Sequence, residues 1–283
     1  MIKCILLSAI IPLVVGLLQV LNNLYVNIGL EPSYRIYSTL THPNAFAFYL
    51  VIITVLSISL LMGARKFNEK FKYLILIIFL SICLIYTFTR SAWIGLALAV
   101  FILGLLQHRK LLILSPLIIG FLLLNLPFIS ERFQPLLNPD LQKYTSLAWR
   151  MNIWTSSIPY FLSHPFFGNG FGNFIFVGYE IDNWFAAAHN DYVRILVETG
   201  IIGFVGFIWI FLSLLKTGVK AFKNAPNPFH KNIAAGFIVL LLAYILMSMS
   251  DNLFNHGGIQ WYFWAYAGVA MAIYRIDSYR KQV

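Results

Sequence analysis

Long apolar runs separated by short polar gaps recur along this chain. They lie near residues 4–30, 43–63, 73–88, 90–106, 111–128, 191–215, 232–250 and 258–275. A bilayer core about 30 Å thick requires about 20 apolar residues per helix. The pattern therefore predicts an all-α, polytopic transmembrane bundle of eight helices, forming a single membrane domain over residues 1–283.

Basic residues concentrate in alternate gaps between these runs. The gaps hold Lys3; Arg65, Lys66, Lys70 and Lys72; Arg109 and Lys110; Lys216, Lys220, Lys223 and Lys231; and Arg275, Arg280 and Lys281. Because short cytoplasmic loops of membrane proteins are enriched in Lys and Arg, this alternation predicts that both termini are cytoplasmic. The long segment 129–190 is then expected outside, as a periplasmic segment that contains interfacial helices.

Composition supports a membrane protein and excludes a soluble domain. Hydrophobic residues make up 60% of the chain and charged residues only 11%, so the chain cannot surround an apolar core with a charged surface. The net charge of +10 follows from the basic gaps, and we expect membrane lipids but no nucleic acid as partners.

Two arginines on the predicted outer face are candidates for chemistry. Arg90 lies in the very short gap between two apolar runs, where a charge in or near the membrane usually has a partner. Arg150 opens a segment with apolar residues at helical spacing, which indicates an amphipathic interfacial helix. The alternatives are a lipid-headgroup anchor for Arg90 and a basic anchor at a helix start for Arg150.

A polar cluster opens the sixth apolar run. Asn190 or Asp191 suits the N-cap of this helix, and Arg194 and Glu198 are four residues apart, so they can pair on one helical face. That pair is either functional or a structural salt bridge. His189 is a candidate proton acceptor, although a histidine beside a helix cap is more often structural.

Two further patterns define what the outer segment can hold. A predicted turn contains three glycines, Gly168, Gly170 and Gly172, which would permit positive φ angles or close backbone approach. The outward histidines have no ligand-like spacing, so we expect no metal site.

Several motifs together resemble the O-antigen ligase and O-antigen polymerase (Wzy-type) superfamily. They are Thr41-His-Pro-Asn, Thr89-Arg-Ser-Ala-Trp93, Arg150-x-x-x-Trp154, Pro165-Phe-Phe-Gly-Asn-Gly-Phe-Gly172 and His189-Asn-Asp-Tyr with Glu198-x-Gly200. The resemblance implies a glycosyltransferase of the bacterial cytoplasmic (inner) membrane that acts on the periplasmic face. Its donor is a glycan linked to a polyprenyl diphosphate, its acceptor is a saccharide or lipid-linked hydroxyl, and it needs no metal or other cofactor.

The resemblance also implies roles for individual residues. Arg90 and Arg150 are expected to bind the diphosphate, and His189 is expected to accept the proton of the acceptor hydroxyl. A substrate-binding role is expected for Arg194, Glu198 and Asn190.

Members of the superfamily usually have more spanning helices, so the chain resembles one that lacks the N-terminal helices. Two alternatives remain at this point. One is a membrane transporter or accessory protein, because some relatives are labelled as bicarbonate transporters, and the other is an inactive truncated homologue.

Overall fold

Helices make up most of the part of the chain that the structure describes. The computed structural model describes residues 1–22, 24, 35–113, 116, 120, 146–182 and 187–280. Among these residues there are α-helices and short 3-10 turns but no β-strand, which confirms the predicted all-α class. The chain divides into two compact units, one formed by residues 1–115, 213–247 and 255–283 and the other by residues 116–212 and 248–254.

The first unit contains most of the apolar helices. They are α1 (Ile2–Ser8), α2 (Ile10–Leu21), α3 (Pro43–Gly63), α4 (Phe67–Tyr86) and α5 (Arg90–Leu106). The 3-10 turn Arg109–Ile113 follows α5 and packs against it.

The second unit holds two helices from the predicted outer segment and the start of a long helix. These are α6 (Ser146–Ser163), α7 (Phe174–Asp182) and α8 (Asp191–Lys223), whose residues 213–223 belong to the first unit. The first unit is completed by α9 (Pro228–Met247) and α10 (Gly257–Arg280), and the 3-10 turn Leu253–Asn255 lies between them.

The core of the first unit lies between α3 and α9. Both helices contact each other and α5, and α3 also contacts α4. Their side chains are buried around nearly the whole circumference, and Phe46 and Phe48 are fully enclosed. A helix that is apolar on every face is stable only when other apolar groups surround it, which explains the central position of α3.

A smaller core holds the second unit together. It consists of the buried side chains Ile153, Phe174, Val177, Ala188 and Val197. The helix predicted from Arg150 onward is present as α6, and α6 packs against α7. This core therefore joins α6, α7 and the start of α8 into the framework that carries the candidate site.

The predicted set of eight membrane segments stays a prediction. Within the described residues, four helical segments are long and apolar enough to cross a membrane, namely Ile2–Leu21, Pro43–Gly63, Asp191–Lys223 and Pro228–Met247. These helices make the chain a multi-pass membrane protein.

Several helix ends differ from the predictions. The first span ends earlier than predicted, at Leu21, whereas α4 begins earlier, at Phe67, because its charged first turn is also helical. The predicted helix at 111–128 lies largely outside the described residues.

Candidate active site

His189 lies beside a carboxylate that belongs to a distant part of the chain. Its Nδ1 is 3.1 Å from Oδ1 of Asp251, whose side chain is only 6% exposed, while the imidazole is 27% exposed. The backbone of His189 has a φ of 46°, an uncommon conformation for a residue other than glycine. Such strain persists where the surrounding contacts hold the residue in place, and it is concentrated at functional sites.

The contact determines which ring nitrogen can act as a base. An ionised carboxylate only accepts hydrogen bonds, so the proton shared with Asp251 belongs to Nδ1 of His189. The neutral imidazole then has an unprotonated Nε2 that can accept a proton from another group. A base held in one tautomer by a buried carboxylate is the arrangement that general-base catalysis uses.

The segment 248–254, which joins α9 to α10, lies alongside the start of α8. The backbone N–H of Asn190 donates to Asn252 Oδ1 at 3.0 Å. The backbone N–H of Asp191 donates to the Ser248 carbonyl oxygen at 2.9 Å. These bonds hold the carboxylate-bearing segment in register with the histidine.

Asp251 is a candidate site residue that the sequence analysis did not identify. It is separated from His189 by 62 positions, and no local spacing relates the two. The available signal was weak: an acid beside Asn252 directly after an apolar run. Only the packing of the segment 248–254 within the second unit places this acid next to the histidine.

Arg150 contacts the same segment. Its Nη1 donates to the carbonyl oxygen of Ser250 at 2.9 Å, one residue before the carboxylate that contacts His189. Burial lowers the pKa of the Arg150 guanidinium, and the negative charge of Asp251 opposes that shift. The structure therefore brings together two of the three predicted catalytic residues, Arg150 and His189.

Two tryptophans of α6 position this helix against the histidine segment. The ring of Trp149 meets the His189 ring edge to face, with centroids 5.7 Å apart, and its Nε1 donates to Asp182 Oδ2 at 2.7 Å. The Nε1 of Trp154 donates to the Ala188 carbonyl oxygen at 2.7 Å. The ring of His189 is thus held by Trp149 as well as by its carboxylate partner.

The predicted pairing of Arg194 with Glu198 is confirmed. Arg194 Nη1 lies 3.3 Å from Glu198 Oε2, its Nη2 lies 3.1 Å from Asp191 Oδ1, and all three side chains are buried. Asn190 is the N-cap, because its Oδ1 accepts from the backbone N–H of Tyr192 at 2.9 Å. These contacts match the structural alternative, and the predicted contact of Arg194, Glu198 and Asn190 with substrate stays a prediction.

The glycine-rich turn crosses α8 at a break in that helix. Gly168, Gly170 and Gly172 have φ angles of 73°, 105° and 81°, which confirms the expectation of positive φ. Gly200 has a φ of 63° and interrupts the helical conformation of α8. A Cβ on Gly200 would lie 2.4 Å from the carbonyl oxygen of Phe166, so the two backbones can approach only because this residue is glycine.

Arg90 belongs to the first unit, where it is the exposed first residue of α5. The neighbouring motif residues form a polar junction around Arg35. Its Nε donates to the Thr87 carbonyl oxygen at 2.7 Å and its Nη2 to Thr89 Oγ1 at 2.9 Å, and Nη2 also donates to Asn44 Oδ1. Two of the motif segments are therefore in contact here, while the convergence of Arg90 with the other catalytic candidates stays a prediction.

The comparison with known families covers the region that contains these candidates. Residues 74–208 match the family described as O-antigen ligase (Wzy_C). This part of the chain is similar to the O-antigen ligase family. The matched region includes Arg90, Arg150 and His189, whereas Asp251 lies outside it.

Two curated proteins that resemble this chain carry the same description. Both are described as "Probable peptidoglycan glycosyltransferase FtsW". The protein from Geobacter metallireducens is 28% identical over 166 residues, which is 55% of this chain and 43% of the relative. The protein from Trichlorobacter lovleyi is 26% identical over 157 residues, 54% of this chain and 39% of the relative. The match therefore spans less than half the length of either curated relative.

Proposed function

We propose that this chain is a membrane glycosyltransferase of the O-antigen ligase and polymerase type. It would move a glycan from a polyprenyl diphosphate carrier to a hydroxyl of a saccharide or lipid-linked acceptor. The observation that carries the proposal is the 3.1 Å contact between His189 Nδ1 and Asp251 Oδ1, which prepares a base beside Arg150. The reaction needs a base for the hydroxyl and a cation for the departing diphosphate.

The proposed step is a direct displacement at the anomeric carbon. The acceptor oxygen forms a bond to that carbon while the bond from the carbon to the diphosphate oxygen breaks. The Nε2 of His189 takes the hydroxyl proton, and the electron pair leaves with the polyprenyl diphosphate. Displacement from the opposite face inverts the anomeric configuration.

The arginines are proposed to neutralise the leaving group. A guanidinium presents its N–H donors as a planar fork that matches phosphate oxygens, and it gains strength as negative charge develops. Arg150 has this role beside His189, and Arg90 has it by resemblance to the family. Because these side chains supply the positive charge, the proposed reaction requires no metal. It takes place on the periplasmic face of the bacterial inner membrane.

The test is transfer of a glycan from a polyprenyl diphosphate donor by the purified chain in detergent with a chelator present. We expect the wild type to transfer the glycan and His189→Ala to lose about 10²–10⁴-fold in kcat, the usual contribution of a general base. His164→Ala is the matched control, because His164 is exposed in the same unit and its side chain hydrogen-bonds only to Ser163 and Asn169 among the described residues.

Two outcomes would reject the proposal. Full transfer by His189→Ala would remove the base from the mechanism. Absence of transfer by the wild type, with both saccharide and lipid-linked acceptors, would mean that this chain does not catalyse the reaction by itself.

A further inference from the structure

A cavity of about 580 Å³ opens in the first unit, at the helix ends remote from the motifs described above. It is lined by the last turns of α3 and α5, at Met62 and Leu106, and by the start of α9 at Pro228. The alternation of basic residues predicts that this side is cytoplasmic. No part of the proposed glycosyl transfer uses this cavity.

The polar lining of the cavity contains an amide group without a partner. Gln107 lines the cavity, and its Nε2 is buried without a hydrogen-bond partner among the described residues. Asn232 also lines the cavity and is only 4% exposed. Buried amides in native proteins are nearly always hydrogen-bonded, so an unpartnered amide beside a cavity indicates a missing ligand.

The positive charge around the cavity favours an anion as this ligand. Lys231 lies at the cavity, with Nζ held 5.1 Å from the Phe222 ring centroid, and none of the lining residues is acidic. The N-terminus of α9 adds the positive end of a helix dipole. The opposing dipole at the C-terminus of α5 is followed, after Gln107 and His108, by two cations, Arg109 and Lys110.

We infer that this cavity binds a phosphate group, as carried by an anionic phospholipid headgroup or by free phosphate. Amide and ammonium donors suit phosphate oxygens, and basic pockets between spanning helices on the cytoplasmic side bind anionic headgroups. Apolar side chains such as Met62 and Leu106 form the remainder of the lining, where the first carbons of acyl chains could pack. The inference is independent of the proposed transferase activity.

The first arm of the test measures lipid retention. The purified chain is reconstituted in phosphatidylcholine with and without phosphatidylglycerol, transferred to detergent, and analysed by native mass spectrometry for retained lipid. We expect one retained phosphatidylglycerol per chain and about five-fold weaker retention in Lys231→Gln, since one basic residue near a headgroup contributes roughly that factor. Lys216→Gln is the matched control, because Lys216 is exposed and does not line the cavity.

The second arm measures thermal unfolding of lipid-depleted protein with added inorganic phosphate. Stabilisation by phosphate without retention of phosphatidylglycerol would identify free phosphate as the ligand and keep the inference. Whichever ligand binds, Lys231→Gln should show weaker lipid retention, or a smaller phosphate-induced rise in melting temperature, than Lys216→Gln. The inference of a phosphate-binding cavity would be overturned by equal ligand effects in the two variants. It would also be overturned if the wild type neither retained phosphatidylglycerol nor were stabilised by phosphate.

Discussion

Replacement of Asp251 by asparagine tests the pairing at the centre of the candidate site. The amide has nearly the size of the carboxylate, and its oxygen can still accept from the Asn252 backbone N–H, which now donates to Asp251 Oδ1 at 2.8 Å. The variant therefore removes the negative charge next to His189 while it keeps the local backbone contact. We expect the fold to survive and kcat to fall.

The expected magnitude follows from the geometry. Two unit charges 3.1 Å apart attract each other by about 5 kcal/mol at an effective dielectric constant of about 20. The imidazolium charge is shared by two ring nitrogens and the ring is 27% exposed, which reduces the attraction to about 2–3 kcal/mol. That energy corresponds to a loss of about 10²-fold in the rate of proton transfer.

The assay is steady-state transfer from a polyprenyl diphosphate donor, with kcat and KM determined separately. The loss is expected in kcat with KM unchanged, because Asp251 acts on the charged state of His189 that forms during the reaction. Glu180→Gln is the matched control, since this carboxylate is exposed and accepts only from the Tyr160 hydroxyl among the described contacts. An unchanged kcat in Asp251→Asn, or an equal loss in Glu180→Gln, would refute the reasoning.

Two further predictions concern the framework around the site. Gly200→Ala should destabilise the chain by more than about 1–2 kcal/mol, because a positive φ is strained for alanine and the new Cβ would meet the backbone of Phe166. The control Gly206→Ala, whose Cβ would lie in open space, should leave the melting temperature in detergent nearly unchanged. Equal melting temperatures of the two variants would contradict the close approach of the backbones at Gly200. Glu198→Gln should lower the melting temperature and leave KM unchanged, because loss of one partner of a buried ion pair lowers the free energy of unfolding by about 3–5 kcal/mol. A raised KM at an unchanged melting temperature would instead support contact of Glu198 with substrate.

Sequence alone predicted those features that depend on contacts within one helix or one turn. The pairing of Arg194 with Glu198 follows from their spacing of four, and the cap at Asn190 follows from the exposed amides of a first helical turn. The positive φ angles of the glycine-rich turn are equally local. The all-α class follows from the length of the apolar runs, because a bilayer requires each span to satisfy its own backbone hydrogen bonds.

Tertiary structure decided every feature in which distant parts of the chain meet. Asp251 reaches His189, and Arg150 reaches Ser250, only because the segment 248–254 lies alongside the start of α8 within the second unit. The crossing at Gly200 likewise joins two segments whose separation has no helical or strand period. The periodicity of hydrophobic residues in the sequence indicates which face of a helix is apolar. Which residue contacts a buried polar group depends on the packing of the whole unit. The catalytic candidates were thus visible in sequence, whereas the carboxylate that contacts His189 was not.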